Sequence, residues 1–511
     1  MPLPRELAEL QERVEREAVR HGLRTFRVVF EVVDYAQMNQ LAAYTGFPVR
    51  YPHWRWGMEF EQLSRSYRYG LHKIYEMVIN NDPTYAYLLE GNTLLDQKLV
   101  MAHVYGHADF FRNNIYFAHT DRRMVDTMAN HATRVRRYRD RLGIETVERF
   151  LDACLSIEDL LDPQAVFLGP LENLPPEEDE DDGGPESPPP PLRRLPAKDY
   201  LEPYINPPEW LERERERLLA RQRTRRFPRR PVRDVLGFLL RHAPLEGWER
   251  DVLSIVRKEA YYFLPQRQTK IMNEGWACTW HTHLLEHHLL DDAEVVDFAD
   301  HHSGTVATLP GRLNPYKLGI ELFRDIEFRW NTGRFGREWE ECDDMAERSH
   351  WDRKLGLGRR KIFEVRRVHN DLTFLDEFLT EEFCRRQKLF VFGLDRQREA
   401  WVVRSREFAR VKEALLFQLS NGGTPVIEIV DANYRNRAEL LLLHRHYGVD
   451  LRLDWAREVL RSLASIWRRP VYLETIVEGR PRRLGYDGEQ PTEEEISGTA
   501  GAPPDEAVPL P

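Results

Sequence analysis

Two stretches of the chain carry side chains at spacings that suit a metal ion. In LVMAHVYGHADFF, His103 and His107 are four residues apart in an apolar run. On a helix they share a face with Leu99, about one turn apart. An i,i+4 histidine pair is a common way to offer two imidazoles to one ion. The plainer alternative is two core histidines hydrogen-bonded to backbone carbonyls. In NEGWACTWHTH, Glu274, Cys278 and His281 fall at i, i+4 and i+7, again on one helical face. A glutamate from a separate helix is what a His2Glu zinc site requires. Its alternative is a glutamate paired with one of the many arginines. His283 and His287 are also four apart, but His287-His288 reads as a polar helix end. His301-His302, beside Ser303-Gly304, reads as a loop pair.

Together the two stretches resemble the gluzincin arrangement, HExxH followed later by a glutamate on a second helix. HVYGH departs from that pattern at one place, with Val104 where the general-base glutamate stands. That glutamate activates water in metalloproteases. Val104 therefore leaves a metal site conceivable and ordinary peptide hydrolysis in question. Glu76, Glu90 and Glu259 are candidate replacement acids, and His281 is a candidate further ligand or proton carrier, with Cys278 as another ligand.

Aromatic and basic residues cluster in VRYPHWRWGMEFEQLSRSYRYGLHKIYEMVINNDPTYAYLL. His53, Arg55, Arg65, Arg68, Tyr69 and His72 are candidates to line an anionic substrate cleft, or Arg caps carbonyls and Tyr packs. FLPQRQTKIMNEGWA adds Gln266, Gln268, Thr269 and Lys270 as a candidate wall of the same cleft. GRFGRE does not match a phosphate-binding P-loop.

These residues must be held by a mostly helical frame. Residues 4–22 place Leu7, Leu10 and Val14 on one helical face. Phe26–Val33 is β-branched and reads as a short strand or the start of a helix. Helices are expected over 60–80, 94–114, 121–142, 144–161, 209–226, 232–242, 248–262, 269–290 and 315–330. After about Lys361, KLFVFGL, AWVVRS, TPVIEIVDANY and VYLETIVEG read as strands, with helices at 405–420, 437–447 and 454–467. The expected fold is thus mainly α, with a zincin-like helical N-terminal region and a small α+β C-terminal domain. The expected division is 1–171, an acidic and proline-rich linker at 172–208, 209–360, the α+β domain at 361–486, and a disordered tail at 487–511.

Among the 511 residues, 31% are charged and mean hydropathy is −0.60. No apolar run approaches the ~18 residues that span a bilayer. The charged start MPLPRELAELQERVERE does not read as a signal peptide. Four scattered cysteines make neither a CxxC motif nor a disulfide framework, so a cytoplasmic setting is expected. The net charge is −10, but 15 acids lie unopposed in residues 172–187 and 485–511. The remainder is mildly basic, and even with the Arg-rich stretch at 221–233 this does not carry a nucleic-acid reading.

Long blocks resemble the stage V sporulation protein R (SpoVR-like) family. They are FEVVDYAQMNQLAAYTGFPVRYPHWRWGMEFEQL, YRYGLHKIYEMVINNDPTYAYLLEGN, KLVMAHVYGHADFFRNN, LPQRQTKIMNEGWACTWH and NPYKLGIELFRDIEFRWNTGRFG. The resemblance implies a role in spore cortex formation or, outside spore-formers, in cell-wall or stress physiology. It also implies gene neighbours, and hence partners, of two kinds: a serine protein kinase and a von Willebrand-type protein. Spacing and resemblance together point to His103, His107 and Glu274 as ligands of a divalent ion, with zinc expected. Two readings follow: a metal-dependent hydrolase of amide or peptide-like substrates, or a non-catalytic regulator on a degenerate peptidase-like frame.

Overall fold

The computed structural model describes residues 3–68, 76–167, 207–223, 227–307, 313–395 and 400–496. The chain divides into two units, Met1–Gly143 with Tyr261–Gly423, and Ile144–Ala260 with Thr424–Pro511. The linker expected at 172–208 lies almost wholly outside the described residues, as does most of the tail.

The first unit opens with α1 (Arg5–Arg20), whose Leu10, Val14 and Ala18 are buried on one face. Next come β1 (Val28–Val33), α2 (Tyr35–Ala43), α3 (Trp54–Arg68), β2 (Glu76–Ile79) and β3 (Thr84–Leu89). The strands form one small sheet in the order β1-β3-β2, with β1 parallel and β2 antiparallel to β3. This corrects the helix expected over 60–80. Its C-terminal part, EMVI, pairs with Tyr85–Leu88, and that pairing overrides the helical spacing. Then follow α4 (Leu94–Asn113) and α5 (Met124–Leu142). Thr93 caps α4 reciprocally with Asp96, which fixes where the helix starts.

The second unit takes α6 (Ile144–Ser156), α7 (Pro208–Arg223), α8 (Val235–His242) and α9 (Gly247–Gln268), whose end from Tyr261 belongs to the first. The chain returns to the first unit with α10 (Lys270–Leu284), which runs into a π-helical turn at Leu285–Leu289. Helices α11 (Val295–Thr305) and α12 (Pro315–Thr332) follow, so His301-His302 sits on a helix and not in a loop. Short helices α13 (Arg337–Glu340) and α14 (Met345–His350) precede α15 (Gly358–Val368), α16 (Asp371–Phe378) and α17 (Glu381–Gln387). The hairpin β4 (Val391–Asp395) and β5 (Ala400–Ser405), then α18 (Phe408–Leu419), complete the unit.

The boundary expected at 361 therefore moves to about 424. Ile362, Val365, Phe374 and Phe378 are buried in the same core as Val14, Val104 and Trp276 of the first unit. The second unit closes with β6 (Ile427–Tyr434), β7 (Glu439–His444), α19 (Leu453–Trp467), β8 (Val471–Val477), β9 (Arg480–Tyr486) and β10 (Pro491–Glu495). They make a five-stranded sheet in the order β10-β9-β8-β7-β6. Two expectations change here. The segment 437–447 is strand β7, because its leucine run lies between β6 and β8 and is buried on both faces. The acidic tail enters the sheet as β10, paired with β9.

Candidate metal centre

Helices α4, α10 and α12 approach one another unusually closely, because glycines stand at the crossings. A Cβ on Gly106 of α4 would lie 2.6 Å from Ala277 Cα on α10. A Cβ on Gly275 of α10 would overlap the backbone of Gly319 on α12, and one on Gly319 would overlap the Ile271 carbonyl. Only a hydrogen fits at these points. Two polar anchors reinforce the contact. Asp371 at the start of α16 accepts from the backbone N–H groups of Ile271 and Met272 (both 2.8 Å), which ties down the first turn of α10. Asp109 of α4 accepts from Trp276 Nε1 of α10 at 2.9 Å and from the Arg24 backbone N–H at 2.7 Å. Burial pushes the carboxyl pKa of Asp109 up to about 6 and that of Asp371 up to about 7.

The crossing of α4 and α10 brings together residues some 170 positions apart in sequence. His103 Nε2 and His107 Nε2 lie 3.6 and 3.5 Å from the same oxygen, Glu274 Oε2. Both histidines are buried. The remaining ring nitrogens are occupied too. His107 Nδ1 is 2.9 Å from Asn273 Oδ1, and His103 Nδ1 is 2.9 Å from His281 Nδ1. His281 Nε2 continues to His302 Nδ1 at 3.4 Å. His103, Cys278 and His281 form a second set of donor atoms within 4.8 Å of one another, so His103 belongs to both sets.

The electrostatics suit neutral imidazoles beside an ionised carboxylate. Burial, then the neighbouring His103, lowers the His107 pKa to about 4. Burial holds His281 well below the usual histidine range. Burial works to raise the pKa of Glu274, but the His103 hydrogen bond and the electrostatic influence of the neighbouring His107, His103 and Lys270 carry it below the usual carboxylate value. Neutral imidazoles and carboxylates are the forms that bind metal.

The other candidate residues fall elsewhere. Val104 is fully buried in the apolar core. Glu90 is exposed in the turn after β3, Glu259 is buried in the second unit, and Glu76 opens β2. His53 is buried against Trp54 and Trp56, while Arg55 pairs with Glu59 at 3.3 Å. Arg68 ends α3, and Tyr69 and His72 lie outside the described residues. Gln266 and Gln268 are half-buried at the end of α9, and exposed Lys270 opens α10 with its charge acting on Glu274. The sequence reading missed Asn273, although a carboxamide directly before a candidate ligand was a signal. It also missed Asp371, for which a separation of 100 positions from Ile271 left no signal.

Among the described residues, no helix is long and apolar enough to cross a membrane. The model of SpoVR-like proteins matches residues 3–424, and that of the SpoVR-like C-terminal domain matches residues 425–478. The uncharacterized protein YcgB of Escherichia coli (strain K12) is 30% identical over 514 residues, covering 92% of this chain and 94% of its own length. No solved structure matches the chain significantly. With both models matched in order and the relative aligned nearly end to end, the chain belongs to the SpoVR-like family.

Proposed function

We propose that this chain is a metal-dependent hydrolase of amide or peptide-like substrates, with His103, His107 and Glu274 holding a divalent ion on a zincin-like frame. The observation that carries the reading is the spacing of the donor atoms. A tetrahedral ion with ~2.0–2.1 Å bonds holds its ligand atoms about 3.3 Å apart, and the two histidine–glutamate separations are 3.6 and 3.5 Å. Two imidazoles and a carboxylate favour zinc among the common ions. A helix bearing the histidine pair, a glutamate from a second helix and a small sheet with an antiparallel edge strand support the zincin-like description.

The proton positions follow from the hydrogen bonds. Asn273 Oδ1 can only accept, so His107 carries its proton on Nδ1 and turns a lone pair on Nε2 toward Glu274. For His103 to do the same, its Nδ1–H donates to His281 Nδ1. His281 then holds its proton on Nε2, facing His302. His281 thus orients a ligand in this arrangement, as outer partners of metal-bound histidines do. The ion, when bound, would polarise a carbonyl and acidify water. Because Val104 supplies no proton acceptor, turnover on unstrained peptides is expected to be slower by about 10²–10⁴-fold than with a general base in place.

The burial of Val104 favours a second reading, a regulator on a degenerate peptidase-like frame that binds partner proteins. We place either activity in the cytoplasm, in sporulation, cell-wall or stress physiology, with a serine protein kinase and a von Willebrand-type protein as partners. Metal analysis of purified protein tests the shared premise. His107→Ala should lose one ion per chain relative to wild type, and an unchanged metal content overturns the metal reading. Loss of slow peptide hydrolysis in the same variant supports the enzyme; a metal-loaded wild type inert on peptides favours the regulator.

A further inference from the structure

A second cluster of imidazoles lies at the other end of α10, away from Glu274 in sequence and built from different residues. His21 caps the C-terminus of α1, His283 lies in the last turn of α10, and His288 lies within the π-helical turn that follows. His21 Nε2 is 2.8 Å from His288 Nε2, and His21 Nδ1 is 3.3 Å from His283 Nε2. One ring nitrogen from each lies within 4.8 Å of those of the other two. All three side chains are half-buried, which leaves a route for an ion from solvent.

The local backbone is what makes this cluster. In a regular α-helix, residues five apart point about 140° away from each other. The turn Leu285–Leu289 is wound with i→i+5 bonding, and Leu290 N–H closes onto the Leu285 carbonyl at 3.1 Å. That wider turn brings His288 round to the side of His283. Such turns carry a cost and recur at functional sites.

A carboxylate stands behind the cluster. Glu17 Oε2 is buried and accepts no hydrogen bond; it lies 3.8 Å from His288 Nδ1 and 3.6 Å from Arg20 Nη1. A buried carboxylate oxygen left without a donor is costly. It becomes satisfied if His288 binds an ion through Nε2, keeps its proton on Nδ1 and closes the 3.8 Å gap to hydrogen-bond distance, which would give the carboxylate–histidine–metal arrangement of known zinc sites. The opposing feature is Arg359, whose Nη2 sits 3.3 Å from His283 Nε2. Its side chain is over a third exposed and reaches toward Glu327 at 3.8 Å, so it has a place to go.

We propose that His21, His283 and His288 form a second zinc site, with Glu17 orienting His288 and the fourth position open to solvent. Its ion would staple the end of α1 to the end of α10. The site shares no ligand with His103, His107 and Glu274, so it stands or falls separately from the proposed function.

The test uses the full-length chain, loaded with zinc, desalted and analysed for bound metal. Wild type should retain two ions, His107→Ala one, and His21→Gln and His288→Gln one each. Zinc should also raise the thermal midpoint of His107→Ala, and that rise should vanish when His288→Gln is added. Circular dichroism of the zinc-free variants controls for folding. Arg359→Gln, which removes the competing cation and keeps the three ligands, should lower the zinc dissociation constant of the second site. Should the first site hold no metal, His107→Ala will match wild type while His288→Gln still loses one ion, which supports the inference. Folded His21→Gln and His288→Gln proteins that retain the wild-type count overturn it, as does a single wild-type ion abolished by His107→Ala.

Discussion

The side chain of Asn273 lies 2.9 Å from Nδ1 of His107, so the residue directly before Glu274 decides which imidazole nitrogen faces that glutamate. Adjacent positions on α10 thus serve the two sides of one ring, Asn273 by holding its proton and Glu274 by sharing its opposite face. Asn273→Ala should leave the fold intact and weaken metal binding by about 10–100-fold, the usual cost of losing such a partner. Asn273→Asp keeps an acceptor and should restore most of the affinity. Competition against a chromogenic chelator measures both.

Gly275→Ala should be destabilising well beyond its helix propensity, which by itself favours alanine by ~1 kcal/mol. The new Cβ would overlap the Gly319 backbone, and neither helix offers a side chain that can move aside. A cost of at least 1–3 kcal/mol is expected from overpacking, together with loss of metal, read by urea unfolding and metal analysis. Gly57→Ala, on α3 with open space around it, should be neutral or stabilising and serves as the control.

Val104→Glu rebuilds the HExxH pattern on paper, yet should yield no peptidase. Val104 is fully buried in the core that also holds Val100, Met101 and Ala108. A carboxylate placed there is desolvated without a partner, at a cost of several kcal/mol. The expected result is a lower thermal midpoint with no gain in hydrolysis of casein. A folded variant that gains activity would show that this position reaches the ligands after all.

Acid should weaken the second unit through His444. This side chain is buried, its Nδ1 is 2.9 Å from Thr475 Oγ1, and burial followed by His446 lowers its pKa to about 4. The depressed pKa means the neutral form is favoured in the fold. Its stability contribution is therefore complete above the unfolded value of ~6.5 and is lost as pH falls toward about 4. Replacing His444 by Gln should flatten the fall in urea-unfolding free energy between pH 7 and 4.5, by up to about 3 kcal/mol. An unaltered slope would show that other groups set the acid sensitivity.

The chemistry of the first centre was more legible than the architecture around it. His103, His107 and Glu274 stood out because ligand spacing on a helix is a local property, readable from i,i+4 and i,i+7 offsets. The expected helix over 437–447 gives way to a strand because Leu440–Leu443 is apolar at every position, and such a run has no period by which to tell a doubly buried strand from a helix. The segment 60–80 failed at its end for a different reason: Glu76–Ile79 takes its conformation from Tyr85–Leu88, a partner outside any local window. His21 was invisible as a candidate ligand because it joins His283 and His288 only through the π-helical turn, and i,i+5 is not a spacing that ordinary helical reading inspects.

The glycine crossings have a consequence for which ions the first centre can accept. Helices whose backbones already touch at Gly275 and Gly319, and nearly touch at Gly106 and Ala277, have no room to close further. The buried Asp109 of α4, bonded to Trp276 of α10, resists their opening, and Asp371 fixes the first turn of α10. The donor triangle is therefore close to a fixed aperture. A calcium ion, which takes 6–8 oxygens at 2.3–2.6 Å in flexible surroundings, would need a wider and more oxygen-rich frame than two imidazoles and one carboxylate on locked helices provide. Discrimination by ionic size would then reside in residues that touch no ion, the three glycines whose missing side chains set the distance between the walls.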